Sequence, residues 1–171
     1  DAKVEAVMGA YNRTLDEVCC ASKLLLDDIL RGEWGFDGHV VSDCMALSDF
    51  HLYHKVTEDA ADSAALALKY GCDLGCDHVF NEIPTAIERG DTTESLVDRA
   101  LERTLTTRFK LGMFDPDDVV PYASISTDVV ACDEHRQLAY KAATESVVLL
   151  KNKNNILPIK PSTKKIFVTG P

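Results

Sequence analysis

No stretch of this 171-residue chain approaches the roughly 18 to 20 consecutive apolar residues that a helix needs to cross a bilayer. Positive charge is also scarce: 18 Lys and Arg stand against 28 Asp and Glu, for a formal net charge of -10 and a pI near 4.9. Such a field repels phosphate backbones and anionic headgroups, and Lys164-Lys165 is too short a cluster to reverse it. Neither nucleic acid nor a membrane is an expected partner. A glycine-rich phosphate loop is missing, which argues against a barrel enzyme acting on phosphorylated substrates. Internal repeats and low-complexity segments are missing too.

Cysteine is present without metal-site spacing. The six cysteines (Cys19, Cys20, Cys44, Cys72, Cys76, Cys132) are too few for a disulfide-stapled miniprotein, and Cys72 and Cys76 have no matching second pair to make a zinc ribbon. No metal and no cofactor is expected. His51 and His54 read as solvated loop histidines near a helix start.

What is there is an ordinary globular composition, 46% hydrophobic and 27% charged, enough to bury one sizeable core. Val4 to Ala10 reads as a buried strand, and Ser22 as the cap of a helix over Lys23 to Arg31 with Leu24, Leu25 and Ile29 on its apolar face. Glycines punctuate the turn Trp34 to Gly38, and His39-Val40-Val41 forms the next strand, with Asp43 at its carboxyl end. Thr57 and Glu58 open an alanine-rich helix that Gly71 stops, and Cys72 to Asp77 forms a third short strand with acids beyond it. Helices follow over Asn81 to Arg89 and Glu94 to Phe109, the latter introduced by the cap signal TTES.

Strands alternating with helices imply a parallel sheet covered by helices, either doubly wound or part of a (β/α)-barrel. Both architectures gather chemistry at the carboxyl ends of the strands, where Tyr11, Asp43 and the Asp73 to Asp77 stretch fall. After Phe114 the breakers Asp115-Pro116 and Pro121 and the polar stretch Tyr122 to Val130 read as a linker. A helix over Glu134 to Glu145, a strand over Val147 to Leu150, a KNKNN turn and a strand over Ile166 to Val168 then begin a second domain. Both ends read as cuts within a longer polypeptide. From the residues alone, Ser42-Asp43 serves as readily as a helix cap as a catalytic pair.

In order along the chain stand VMGAYNR, LLLDDILRGEWGFDGHVVSD, YGCDL, RTLTTRFKLGMFD and ESVVLLKNKNNILPI. Together they resemble family 3 glycoside hydrolases, the exo-acting β-glucosidases and β-xylosidases, over nearly the whole chain. The resemblance implies the C-terminal part of a (β/α)8 TIM-type barrel, with its last three strands, over residues 1–118. A linker with a helix over 119–143 and the start of an α/β sandwich domain over 144–171 complete the division. It makes Asp43 the nucleophile of a retaining β-glycosidase, in which a carboxylate attacks the anomeric carbon and a second acid protonates the departing oxygen.

That second acid is a glutamate which the family supplies from beyond this chain. Glu33, Asp49, Glu58 and Asp77 are therefore expected to be loop or cap residues. Met8 and Tyr11 match positions lining the sugar subsite, with core packing for Met8 and barrel-rim packing for Tyr11 as the plainer alternatives. Cys44 stands where many β-glucosidases of the family carry a tryptophan, and the xylosidase branch pairs Ser-Asp-Cys with a second cysteine after the next strand, here Cys76.

A Cys44–Cys76 disulfide is implied on that basis, two buried free thiols being the alternative, and with it an oxidising, extracellular or periplasmic compartment. The loop NRTLDEVCCASK departs from the family, with Leu15-Asp16-Glu17-Val18 in place of an Asn-Gly-x-Pro turn. The expected activity is release of terminal non-reducing sugars from β-linked oligosaccharides or aryl glycosides, as a β-xylosidase first and a β-glucosidase second. The alternative of another class is a catalytically incomplete structural piece that requires the remainder of the barrel and second domain as its partner.

Overall fold

The computed structural model describes residues 3–170. Readings that rest on Asp1, Ala2 or Pro171 fall outside them. The chain divides between Val120 and Pro121 into two compact units. In the first unit, β1 (Ala6–Gly9) leads into a hairpin of β2 (Arg13–Thr14) and β3 (Glu17–Val18), with Arg13 opposite Val18 and Thr14 opposite Glu17. Its two turn residues, Leu15 at φ 50° and Asp16 at φ 67°, are both left-handed, as a tight primed turn requires. The departure from an Asn-Gly sequence thus keeps a hairpin but places a leucine, 78% exposed, in a conformation its Cβ opposes.

Ser22 caps the helix that follows, its Oγ accepting from Leu25 N at 3.0 Å, while Glu17 Oε2 accepts from Ser22 Oγ and from Leu24 N. These two donors hold the Glu17 carboxyl below the usual carboxylate range. This helix, Lys23–Glu33, is wound in π fashion, closing with Trp34 N on Ile29 O at 2.9 Å. Leu26 and Leu30 are its buried residues and meet Val7 and Val40. Gly38 then passes so close to the Glu5 carbonyl that a Cβ would collide with it, which lets β4 (His39–Ser42) start level with β1.

β1 and β4 run parallel, Ala6 beside His39 and Gly9 beside Ser42. Side chains alternate across this pair. Val7 and Val40 turn to the helix layer, while Met8 and Val41 share the opposite face.

Cys72 to Asp77, expected as a third strand, contributes a single parallel bridge from Leu74 to Val41. Backbone bonds from Asp73 N and Leu74 N to Val40 O and from Ser42 N to Leu74 O surround that bridge, and side-chain polar bonds add to them. Asp73, its carboxylate 1% exposed, accepts from Arg31 Nη2 at 2.8 Å, Arg103 Nη1 at 2.9 Å and Val40 N at 2.9 Å. It is therefore a buried ionic hub and not one of the acids facing the strand ends. Cys44 and Cys76 are joined by a disulfide with Cα atoms 4.4 Å apart, a covalent tie between β4 and the same segment. Cys19, Cys20, Cys72 and Cys132 are free.

Short α1 (Asp49–Leu52) follows β4, and α2 (Ala60–Lys69) is capped by Asp59, whose carboxylate accepts from Asp62 N at 3.0 Å; Thr57 and Glu58 lie before that cap. The small residues Ala64 and Ala67 let α2 approach Cys20, Ala21, Leu47, Phe50 and Cys72 closely in the main core. A second contact, Ala61 and Ala65 on Ala86, joins α2 to α3 (Ile83–Arg89). Long α4 (Glu94–Lys110) reaches back to β1 through Lys110 Nζ on Glu5 Oε1 at 2.9 Å and Thr107 on the same carboxylate.

The second unit holds α5 (Asp133–Glu145) and short turns. Asn154 and Asn155 adopt left-handed backbone in the KNKNN turn, and Asn152 brackets it by bonding both Leu157 N and Leu157 O at 3.0 Å. Val147 to Leu150 and Ile166 to Val168, expected as strands, form no ladder among the described residues. Their β-branched sequence suits a strand, but a strand exists only with a neighbour to receive its N–H and C=O groups.

Three outcomes follow. Leu15→Asn, which tolerates left-handed backbone, should raise stability by about 1 kcal/mol in urea denaturation. Asp73→Ala, which leaves two buried guanidinium groups without their shared anion, should cost about 3–5 kcal/mol in the same measurement. Alkylation of the unfolded, unreduced chain should add four groups and, after reduction, six; six without reductant would exclude the Cys44–Cys76 bond.

Candidate active site

Asp43 stands one residue past β4, on the face that also carries Val41 and Met8. Its backbone is fixed on both sides: Asp43 N donates to Gly9 O at 3.1 Å, and Asp43 O accepts from Ala46 N at 3.1 Å. Cys44 N donates to Asp43 Oδ1 at 2.7 Å, so one carboxylate oxygen is oriented by the chain itself. The helix that follows is preceded by Ser48, and Ser48 is held by Asp77. Asp43 is thus not the cap of α1.

Beneath this strand end lies Cys20, fully buried, with its Sγ donating to Ala10 O at 3.5 Å. A Cβ on Gly9 would come within 2.5 Å of that sulfur, so glycine and cysteine are complementary here. Burial pushes the Cys20 thiol up to about 11, which keeps it a neutral packing group.

Tyr11, in the loop after β1, extends its phenol across to donate to Cys44 O. Loss of surrounding water, followed by the nearby carboxylates of Asp43 and Asp49, raises the phenol pKa above its ordinary value. The phenol stays a proton donor beside the carboxylate. Met8 is 62% exposed and Tyr11 45% exposed, so neither is packed into the core of this chain. Cys44 is exposed as well, held to Cys76 by the disulfide and backed by Met45 N on Cys76 O at 3.1 Å. Ser42, 1% exposed, braces the same junction by accepting from Cys76 N at 2.9 Å.

The structure brings Met8, Tyr11, Asp43 and Cys44 to one end of the parallel pair, with Asp49 near enough to act on the Tyr11 phenol, and sends Glu33, Glu58 and Asp77 elsewhere. Asp77 accepts from Val79 N at 3.0 Å and from Ser48, a loop-bracing role. Glu33 and Glu58 are exposed. The two histidines are not simply solvated: His51 Nδ1 meets Ser63 Oγ at 2.9 Å, and His54 Nε2 meets the Tyr11 carbonyl at 2.8 Å. An HxxH spacing just beyond the candidate nucleophile was the signal for His54, since it sets two rings near the turn out of the site strand.

Chemically, an oriented carboxylate at a strand end beside a protonated phenol can act as a nucleophile or as an electrostatic partner for a developing cation. Among the described residues no group of three His, Cys, Asp or Glu side chains is placed to hold a metal ion.

The chain is 41% identical over 173 residues to a Xylan 1,4-beta-xylosidase of Xylanibacter ruminicola, covering 100% of this chain and 20% of that protein. It is 36% identical over 175 residues to Beta-D-xylosidase 1 of Arabidopsis thaliana, covering 100% of this chain and 22% of the relative. A solved exo-β-xylosidase of glycoside hydrolase family 3, in complex with a xylobiose aziridine activity-based probe, superposes with a TM-score of 0.82 at 32% identity, over 95% of this chain and 21% of that one. A β-glucosidase from Listeria innocua in complex with glucose gives a TM-score of 0.74 at 32% identity, over 91% of this chain and 21% of the other. The chain thus spans about a fifth of the length of the relatives it matches. Residues 1–107 match the family described as Glycosyl hydrolase family 3 N terminal domain, and this chain belongs to that family.

Proposed function

We propose that the polypeptide to which these residues belong is an exo-acting retaining β-glycosidase, with β-xylosidase as the first reading and Asp43 as its nucleophile. The observation that carries the reading is the mounting of Asp43. It is one residue past a paired strand, with its backbone held by Gly9 and Ala46 and one oxygen oriented by Cys44 N.

In the first step an Asp43 oxygen attacks the anomeric carbon of the terminal sugar, a C–O ester bond forms and the glycosidic C–O bond breaks. The departing oxygen takes a proton from a second carboxylic acid, about 5–5.5 Å from the first in retaining enzymes. In the second step that group, now a carboxylate, removes a proton from water, the hydroxide oxygen bonds to the anomeric carbon, and Asp43 leaves as a carboxylate. No acid of this chain is assigned the partner role: Asp77 braces a loop, Asp73 is buried in ion pairs, Glu33 and Glu58 are exposed, and Asp49 sits in the first turn of α1; the acid comes from the remainder of the polypeptide. Tyr11 and Met8 line the sugar subsite, Tyr11 with a phenol whose proton is retained.

Residues up to 118 supply the last three strands of a (β/α)8 barrel, with a linker and the start of an α/β sandwich domain after them. The parallel pairing of β1 with β4 and the single bridge on to Leu74 support this, since so short a sheet leaves strand edges for the rest of a barrel to complete. Val147 to Leu150 and Ile166 to Val168 then find their ladder partners in the rest of the sandwich domain. By the same reasoning the 171-residue chain alone is inactive.

Xylose is favoured over glucose by Cys44. Its disulfide occupies the place of a flat indole and tightens the subsite against a sugar bearing a hydroxymethyl arm. The likeness to a β-glucosidase in complex with glucose keeps the second reading.

The test uses the complete polypeptide. A 2-fluoro-xyloside should label Asp43 in the mapped peptide, while the 2-fluoro-glucoside should label it far more slowly, and Asp43→Ala should lower kcat on the order of 10⁴-fold. Labelling at another carboxylate would displace Asp43, and faster labelling by the glucoside would make the enzyme a β-glucosidase.

A further inference from the structure

Two elements must keep a fixed separation for the site to work: the loop after β1, which carries Tyr11, and the turn after β4, which carries Asp43 and Cys44. The Tyr11 phenol bridges them once, through Cys44 O. That contact holds only if the Tyr11 main chain is itself held in place. β1 ends at Gly9, two residues earlier, and the bonds beside it hold the neighbours, Cys20 Sγ on Ala10 O and Cys19 N on Asn12 O, and not Tyr11 itself.

His54 supplies the anchor at Tyr11 itself. Its Nε2 lies 2.8 Å from Tyr11 O. A carbonyl oxygen only accepts, so Nε2 must carry the proton and donate, in the neutral ring as well as in the cation. The ring is itself on a firm mount: His54 N donates to Asp49 O at 2.8 Å, and Val56 N donates to Phe50 O at 2.9 Å, Phe50 being 1% exposed in the main core. Lys55, between them, is fixed in left-handed backbone at φ 55° and its Nζ reaches His51 O at 3.0 Å. The rigidity of the core is thereby passed through one imidazole to the loop that aims the phenol.

We propose that His54 is a positioning residue of the glycosidase site: by donating from Nε2 to the Tyr11 carbonyl it fixes the loop after β1, and through it the Tyr11 phenol, against the turn bearing Asp43. This rests on the reading of Asp43 as nucleophile. His54 touches no substrate in this role. It acts on the transition state by holding geometry, and small displacements of an aligned group cost more in turnover than in ground-state binding.

The experiment compares His54→Ala and His54→Gln in the complete polypeptide on a nitrophenyl β-xyloside, beside Asp43→Ala. His54→Ala should lower kcat about ten- to hundredfold with KM changed less than about threefold. His54→Gln, whose amide N–H can donate from a similar position, should recover most of that loss. Wild-type kcat in His54→Ala, or equal impairment of the Ala and Gln variants, overturns the inference.

A second readout does not depend on turnover. The ¹⁵N spectrum of the imidazole in the unaltered protein should show Nε2 protonated, and a ring protonated at Nδ1 alone overturns the contact. An inactive Asp43→Ala with an unaffected His54→Ala removes this inference only. An active Asp43→Ala removes the nucleophile reading, and the spectrum then decides the His54 contact by itself.

Discussion

A single buried carboxylate organises the first unit. Asp73 receives a guanidinium from the helix before β4, another from α4, and the backbone N–H of Val40 inside β4 itself. Isolated, such a charge away from water would be prohibitive; with three donors it ties together the elements that must agree on where β4 lies. The helix layer could slide on apolar contacts alone, because Leu26, Leu30 and Val40 set no register. The ionic hub does. Arg31 is committed further, donating to the carbonyls of Phe36 and Gly38, so the glycine turn that starts β4 is held by the same side chain. Burial lowers the pKa of this guanidinium, yet the shared anion keeps it in place as a cation.

The position of Asp43 depends on this arrangement at one remove. β4 is four residues long, and its second neighbour gives only one bridge, so its ladders are short. What fixes its carboxyl end is a set of specific links: Ser42 N to Leu74 O, Ser42 Oγ to Cys76 N, Asp43 N to Gly9 O, and the sulfur bridge. Rigidity is delivered to Asp43 by polar groups at the rim while the apolar core lies below. The same division explains why Cys20 is a thiol and Gly9 a glycine, since the space behind Asp43 admits one sulfur and no further carbon.

How much of this could be read in the sequence depends on how local the cause is. The end of β4 was legible because a glycine bracket, two valines and a Ser-Asp pair are neighbours in the chain, and the cap of the first long helix was legible for the same reason. The β2–β3 hairpin was not, because Leu15-Asp16 lacks the residues that normally announce a primed turn and adopts it nonetheless. Asp73 reads from the sequence as one of the acids at the strand ends, since its partners Arg31 and Arg103 lie far off along the chain. The clue was its place between Cys72 and Leu74, where a charge must find cations or stay out of the core. The supposed strands after Glu145 failed differently: propensity was right for extended chain, but pairing is a property of two segments. His54 went unrecognised as more than solvated because its partner is a main-chain carbonyl, which any residue could have supplied.

The bridge from Cys44 to Cys76 closes a loop with a sequence separation of 32, and α1, α2 and the turn bearing His54 all lie inside it. A protease that nicks the exposed turn around Tyr53 would therefore release nothing, because both cut ends stay tethered at the rim of the site. Wear at this end of the first unit would accumulate as silent scars, invisible to size until a reductant parts the halves.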